Sequence, residues 1–130
     1  MAFKILMVDD EPDAEILFRQ NFRREIRKDL YEFLFAQSAP EALELLEMGG
    51  APDLLVLLSD INMPGMSGVE LLEQVKIRWP DIPVMMITAY GDPDTAEKVM
   101  QKGAKDLVPK PVDFSFLKTK LEQMSGEVAN

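Results

Sequence analysis

"LLVLLSDINMPGMSG", residues Leu54–Gly68, joins an unbroken apolar run to a lone acid and a Met-Pro-Gly loop. Side chains from Leu54 to Leu58 are apolar at every position, without the alternation of a strand that has one wet face. A strand covered on both faces belongs to a parallel sheet between helical layers. Asp60 stands where that strand leaves its cover, and the reading of the chain turns on what surrounds it.

Working outward, the same pattern recurs. Phe3–Val8 is a short apolar run closed by Asp9-Asp10-Glu11, and "YEFLFA" (Tyr31–Ala36) is aromatic-rich and strand-like. "VMMI" (Val84–Ile87) and "DLVP" (Asp106–Pro109) complete the strands. Between them the period changes. From Pro12, residues Ala14, Leu17, Phe18, Phe22 and Ile26 form a helical stripe, with Arg19, Arg23, Arg24 and Arg27 on a solvated face. Ser38 and Glu41 have capping-box spacing and open a helix through about Met48, stopped by Gly49-Gly50. Ser67 and Glu70 repeat that spacing and begin a third helix ending before Pro80. Asp92-Pro93 starts a fourth, stopped at Gly103, and Asp113 caps a last one through about Gln123. Five strands alternating with five helices predict a single α/β domain, a parallel sheet with helices on both faces.

Composition narrows the chemistry. The chain has 130 residues, a net charge of −9, no Cys and no His. An acidic balance argues against a nucleic-acid surface, which requires a basic patch. Without Cys or His there is no disulfide, no thiolate or imidazole metal site and no Ser-His pair. The opening "MAFKILMVDD" is too short and too quickly closed by acids to be a signal peptide, and no stretch is long enough to span a bilayer. A cytoplasmic setting is expected. Chemistry is left to carboxylates, Lys, hydroxyls and a hard cation.

In open α/β sheets, sites form beyond the carboxyl ends of the strands. Those ends carry Asp9-Asp10-Glu11, Asp60, Thr88-Ala89 and Lys110-Pro111. Taken singly, each has a plain explanation: a helix cap, a turn acid, a β-branched strand residue, a surface lysine. Together they make a site. Converging carboxylates repel, and a divalent cation such as Mg²⁺ relieves them. Lys110 and Thr88 then supply donors for an anion. Metal, lysine and hydroxyl around a carboxylate suit phosphoryl transfer, with Asp60 as the nucleophile forming an acyl phosphate.

"VDDEP" after the first strand, "DINMPGMSG" after the third, "TA" after the fourth and "KP" after the fifth resemble the receiver domain of bacterial two-component response regulators. The resemblance covers about Phe3 to Met124. It implies a receiver domain over 1–124, with 125–130 a tail or the start of a linker. It also implies the flavodoxin-like, doubly wound, five-stranded order 2-1-3-4-5. Its roles fall on Asp60 as phospho-acceptor, Asp10 as direct Mg²⁺ ligand and Asp9 as a ligand through water. Asn62 gives its backbone carbonyl to the metal. Thr88 is the switch hydroxyl, with small Ala89 beside it, and Lys110 binds the phosphoryl group. Asn62 and Tyr90 flank that group and tune its hydrolysis. The implied donor is a histidine kinase or histidine phosphotransfer protein, consistent with the absence of His here. The implied output surface runs from about Asp92 to Gln123, a face that in the family serves homodimers. No output domain is expected within this chain, and no contact with nucleic acid or membrane.

Three features depart from the family pattern. Leu107 stands where the family carries a switching aromatic, three residues before the lysine, so a relay through backbone shifts is expected instead. Pro109 removes a backbone donor and suggests a short or edge strand. The segment from Pro52 to Asp60 is a residue or two long, which a bulge would absorb. Two other readings compete with the phosphorylated switch. One is a phosphorylation-independent interaction module; the other is a metal-dependent aspartyl phosphohydrolase, which needs a second acid where this chain has Asn62.

Overall fold

A computed structural model describes residues 3–50, 54–88 and 93–129 of the chain. Five parallel strands form one sheet in the order β2-β1-β3-β4-β5: β1 (Phe3–Val8), β2 (Tyr31–Ala36), β3 (Leu54–Asp60), β4 (Val84–Thr88) and β5 (Asp106–Pro109). The helices are α1 (Pro12–Asn21), α2 (Arg23–Arg27), α3 (Ala39–Leu45), α4 (Gly68–Arg78), α5 (Pro93–Gln101) and α6 (Phe114–Ala129). This is the expected doubly wound order.

The sheet divides the core in two. One cluster holds Leu6, Val8, Leu57 and Met86 with Leu71, Leu72 and Val75 of α4. The other holds Ile5, Met7, Val56, Leu58 and Ile87 with Phe18, Phe22, Leu117 and Leu121. Adjacent residues of β1 and β3 thus face opposite layers, which is why those strands read as continuously apolar. The extra length before Asp60 is absorbed as expected: Lys4 pairs with Leu54 but Ile5 with Val56, a bulge at the start of β3. β5 is a four-residue edge strand ending at Pro109, where the missing N–H costs no ladder bond.

Four helix expectations are corrected. The first stripe is two helices, because the chain breaks at Phe22 (φ −104°, ψ 15°), so the described residues form six α-helices rather than five. Leu17, placed on the buried stripe, is 48% exposed, while Phe18 and Phe22 are buried as expected. The second helix ends at Leu45 instead of Met48 and passes into a π-turn, Leu46–Gly50, closed by Gly49 at φ 97°. The last helix continues to Ala129, past Gln123, because Leu121 and then Met124 remain buried on its inner face. The expected Asp92 cap, Ala89 and Tyr90 lie outside the described residues.

Both capping motifs form. Ser67 Oγ accepts from Glu70 N while Ser67 N donates to the Glu70 carboxylate, a complete box. Ser38 Oγ accepts from Glu41 N, but Glu41 reaches one residue further back, to Gln37 N. Asp113 Oδ1 accepts from Ser115 N and Phe116 N at the start of α6.

Candidate functional site

Parallel strands end together, and the carboxyl ends of β1, β3, β4 and β5 bring their terminal residues to one rim. Asp60 is the last residue of β3 and only 3% exposed. Its Oδ2 accepts from Lys110 Nζ at 2.7 Å, and its Oδ1 from Asn62 N at 3.1 Å. Buried Ser59 donates to the Asp60 carbonyl at 3.0 Å, fixing the backbone from which the acid projects. The carboxylate therefore has both oxygens oriented by donors.

Lys110 reaches Asp60 from the loop after β5. Lys110 N donates to Thr88 O at 2.8 Å, and the following Lys110-Pro111 bond is cis. Burial opposes the charge on Lys110, but the hydrogen bond to Asp60 and the charges of Asp60, Asp9 and Glu11 outweigh it and hold the ammonium above its ordinary pKa of 10.5. Thr88, 9% exposed, ends β4 beside them.

Asp9, Asp10 and Asp60 each place a carboxylate oxygen within 4.8 Å of the others. Burial raises the Asp9 pKa above 3.8, and the negative charges of Asp60 and Asp10 add to it; the Glu11 N–H, 3.0 Å from Asp9 Oδ1, and Lys110 oppose it. An all-oxygen set of this charge fits a hard divalent cation and no soft metal. Sequence reading thus brought Asp9, Asp10, Asp60, Asn62, Thr88 and Lys110 to one rim, and the structure assembles them there. Leu107 sits in β5 opposite Met86, half-buried against the α4-side core.

Sequence reading overlooked two residues. One is Ser59. The other is Gly68, at the start of α4: a Cβ there would fall on the Asp60 carbonyl oxygen and lie 2.8 Å from Ile61 Cα. Gly68 N also donates to Ile61 O at 2.9 Å. A glycine inside a capping box is a poor helix former, and that mismatch was the available signal of close backbone approach.

A cleft of about 470 Å³ opens beside the site, between α1 and the loop after β5. Met7, Phe18, Ile87 and Val112 form its apolar wall, and Asp9, Asp13 and Lys110 line it as well.

A five-stranded α/β sheet in this order, with an acid, threonine and lysine set at its carboxyl rim, has the make-up of a receiver-type signalling domain. The chain belongs to the response regulator receiver domain family, whose model matches residues 5–122. It is 35% identical over 117 residues to the response regulator protein FleR of Pseudomonas aeruginosa, covering 90% of this chain and 23% of FleR. It is 49% identical over 78 residues to the DNA-binding transcriptional regulator NtrC of Escherichia coli, covering 60% of this chain and 16% of NtrC. The chain thus spans a quarter or less of the length of these curated relatives. A receiver domain structure from Clostridium thermocellum matches with a TM-score of 0.80 and 31% identity, covering 97% of this chain and 96% of that one. Among the described residues, no helix is long and apolar enough to cross a membrane.

Proposed function

We propose that Asp60 is the phospho-acceptor of this receiver and that a phosphohistidine on a kinase or phosphotransfer protein is the donor. The observation that carries this reading is the 2.7 Å contact of Lys110 Nζ with the buried Asp60 carboxylate, next to two further carboxylates within 4.8 Å. An oxygen of Asp60 attacks phosphorus, the phosphorus–nitrogen bond to the donor imidazole breaks, and the released imidazole nitrogen takes up a proton. The product is an acyl phosphate on Asp60. Lys110 moves from the carboxylate to the phosphoryl oxygens, and Thr88 donates its hydroxyl to them. Asp10, Asp60 and the Asn62 carbonyl would hold Mg²⁺, with Asp9 acting through water. When bound, the ion neutralises charge developing on the transferred group. The cleft beside Lys110, with Leu17 exposed on α1, offers the donor protein an approach next to the acid. Asn62 and Tyr90 tune hydrolysis of the phosphoryl group, small Ala89 leaves room for Thr88 to approach it, and α5, β5 and α6 form the output face, through which a second copy could pair.

Incubation with acetyl phosphate and Mg²⁺ followed by intact mass tests this. One phosphoryl group is expected on the wild type and none on Asp60→Asn. An adduct that persists in Asp60→Asn overturns the assignment. No adduct from either acetyl phosphate or kinases favours the interaction module, and steady phosphate release from monoesters favours the hydrolase.

A further inference from the structure

Apart from the phosphorylation rim, the strongest concentration of unspent charge lies at the corner between α1 and α2. Arg23, Arg24, Arg27 and Lys28 are exposed, and none forms an ion pair among the described residues. That is unusual in a chain of net charge −9, where carboxylates outnumber bases by 23 to 14. Arg23 and Arg24 line a pocket of about 280 Å³ with Gln20, Asn21, Glu25 and Lys118 of α6. Three cations against one carboxylate leave the pocket positive.

Glu25 sets the chemistry further. Its Oε2 pairs with Lys118 Nζ at 3.1 Å, whereas its Oε1 is buried and meets no hydrogen-bond donor. That oxygen is closed to a ligand, so Glu25 acts on the pocket through its pair with Lys118. Lys118 is held between that carboxylate and the face of Phe22, 5.3 Å from the ring centroid, so its ammonium is positioned in advance. Asn21 spends its amide N–H on Leu17 O at 2.9 Å, which leaves its side-chain oxygen as an acceptor. Guanidinium and ammonium donors suit a phosphate, while the Asn21 oxygen suits a hydroxyl on the body attached to it. The volume is at the small end of ligand sites and holds a sugar phosphate rather than a macromolecule.

We propose that the Gln20–Glu25 corner and Lys118 bind a small organic phosphate carrying hydroxyl groups, at a site separate from Asp60. α1 starts at the carboxyl end of β1 and runs back about 15 Å, so the pocket sits toward the amino ends of the strands, away from the rim. The site is built from the basic segment that the sequence marks only as a solvated face.

The test uses ribose 5-phosphate as probe, with inorganic phosphate and ribose as comparisons, at fixed ionic strength on the ¹⁵N-labelled chain. Amide shifts are expected at residues 20–25 and at Lys118, with ribose 5-phosphate binding about tenfold more tightly than inorganic phosphate. The double variant Arg23→Ala/Arg24→Ala should weaken ribose 5-phosphate by at least about tenfold. It should still take up a phosphoryl group from acetyl phosphate, which checks its fold. Asn21→Ala should narrow the preference over inorganic phosphate. Equal binding of the two phosphates, or shifts confined to Asp9, Asp60 and Lys110, overturns the proposal. Full binding by the double variant also overturns it.

Discussion

At the scale of single residues, Asp9 and Lys110 respond to pH in opposite ways. Asp9 titrates above 3.8 in the folded chain, chiefly through burial, so the folded state binds its proton more tightly than the unfolded state does. Its ionised form therefore costs stability at neutral pH, and the cost disappears on acidification through its raised pKa toward 3.8. Asp9→Asn keeps an oxygen for the Glu11 N–H and removes the charge. In metal-free buffer at pH 7 it should raise the melting temperature by roughly 2–4 °C, a gain that shrinks as pH falls. A gain that grows on acidification would contradict the cost of burying the Asp9 charge. For Lys110 the sign reverses, since its folded pKa lies above 10.5. Its contribution is complete below that value and is lost only as pH rises through the raised pKa, so it adds no pH dependence near neutrality. Its role is read kinetically. Lys110→Ala should slow phosphoryl uptake from acetyl phosphate on the order of 100-fold, the usual loss for a donor aimed at developing charge. Uptake at the wild-type rate would remove Lys110 from the site.

At the scale of elements, two glycines in helices predict opposite outcomes. Gly68→Ala forces α4 away from the Asp60 carbonyl and Ile61, at a cost of about 1–3 kcal/mol in urea unfolding, together with slower phosphoryl uptake. Gly126→Ala in α6 meets nothing within 4 Å and should stabilise by about 0.5–1 kcal/mol. If both changes prove neutral, the close approach of α4 to Asp60 is not what holds the acid. These elements also show where sequence is informative. Capping boxes are local, and Ser67 with Glu70 could be read directly. The break at Phe22 could not be, because Phe18, Phe22 and Ile26 keep helical spacing through it with no Gly or Pro to mark a stop. Tertiary packing imposes it: the Phe22 ring lies 4.9 Å from Phe33, 6.0 Å from Phe114 and 6.1 Å from Tyr31, contacts across strands and helices that no local pattern encodes. The overrun of α6 has the same origin, since its last turns are held by Met124 against the far core.

At the scale of the whole molecule, one rigid plate carries a site assembled from separate ends. The plate was legible because strands buried on both faces leave an apolar signature, and the rim because acids, Thr88 and Lys110 interrupt that signature at the same end of each strand. Contacts that fix distances, such as the close approach of Gly68 to the Asp60 carbonyl, were not, since they depend on how α4 packs against the end of β3. The plate is also unequal in strength. β1 and β3 are flanked on both sides, whereas β5 is an edge of four residues that contributes Lys110 through its following loop. Local opening follows burial and pairing, so hydrogen exchange should be slowest in β1 and β3 and faster in β5. On the proposed reading, a phosphoryl group on Asp60 would draw Lys110 to it and so link the edge strand to the centre. Acetyl phosphate with Mg²⁺ should therefore raise protection at Asp106–Val108 and at the start of α4, and leave β1 and the middle of β3 nearly unchanged. Leu107 lies within the strand that gains protection, packed on the α4-side core, so the change reaches the α5–β5–α6 face through backbone without a swinging ring. Protection that rises evenly across all five strands would show instead that the phosphoryl group stabilises the domain as a unit and that β5 is no separate moving part.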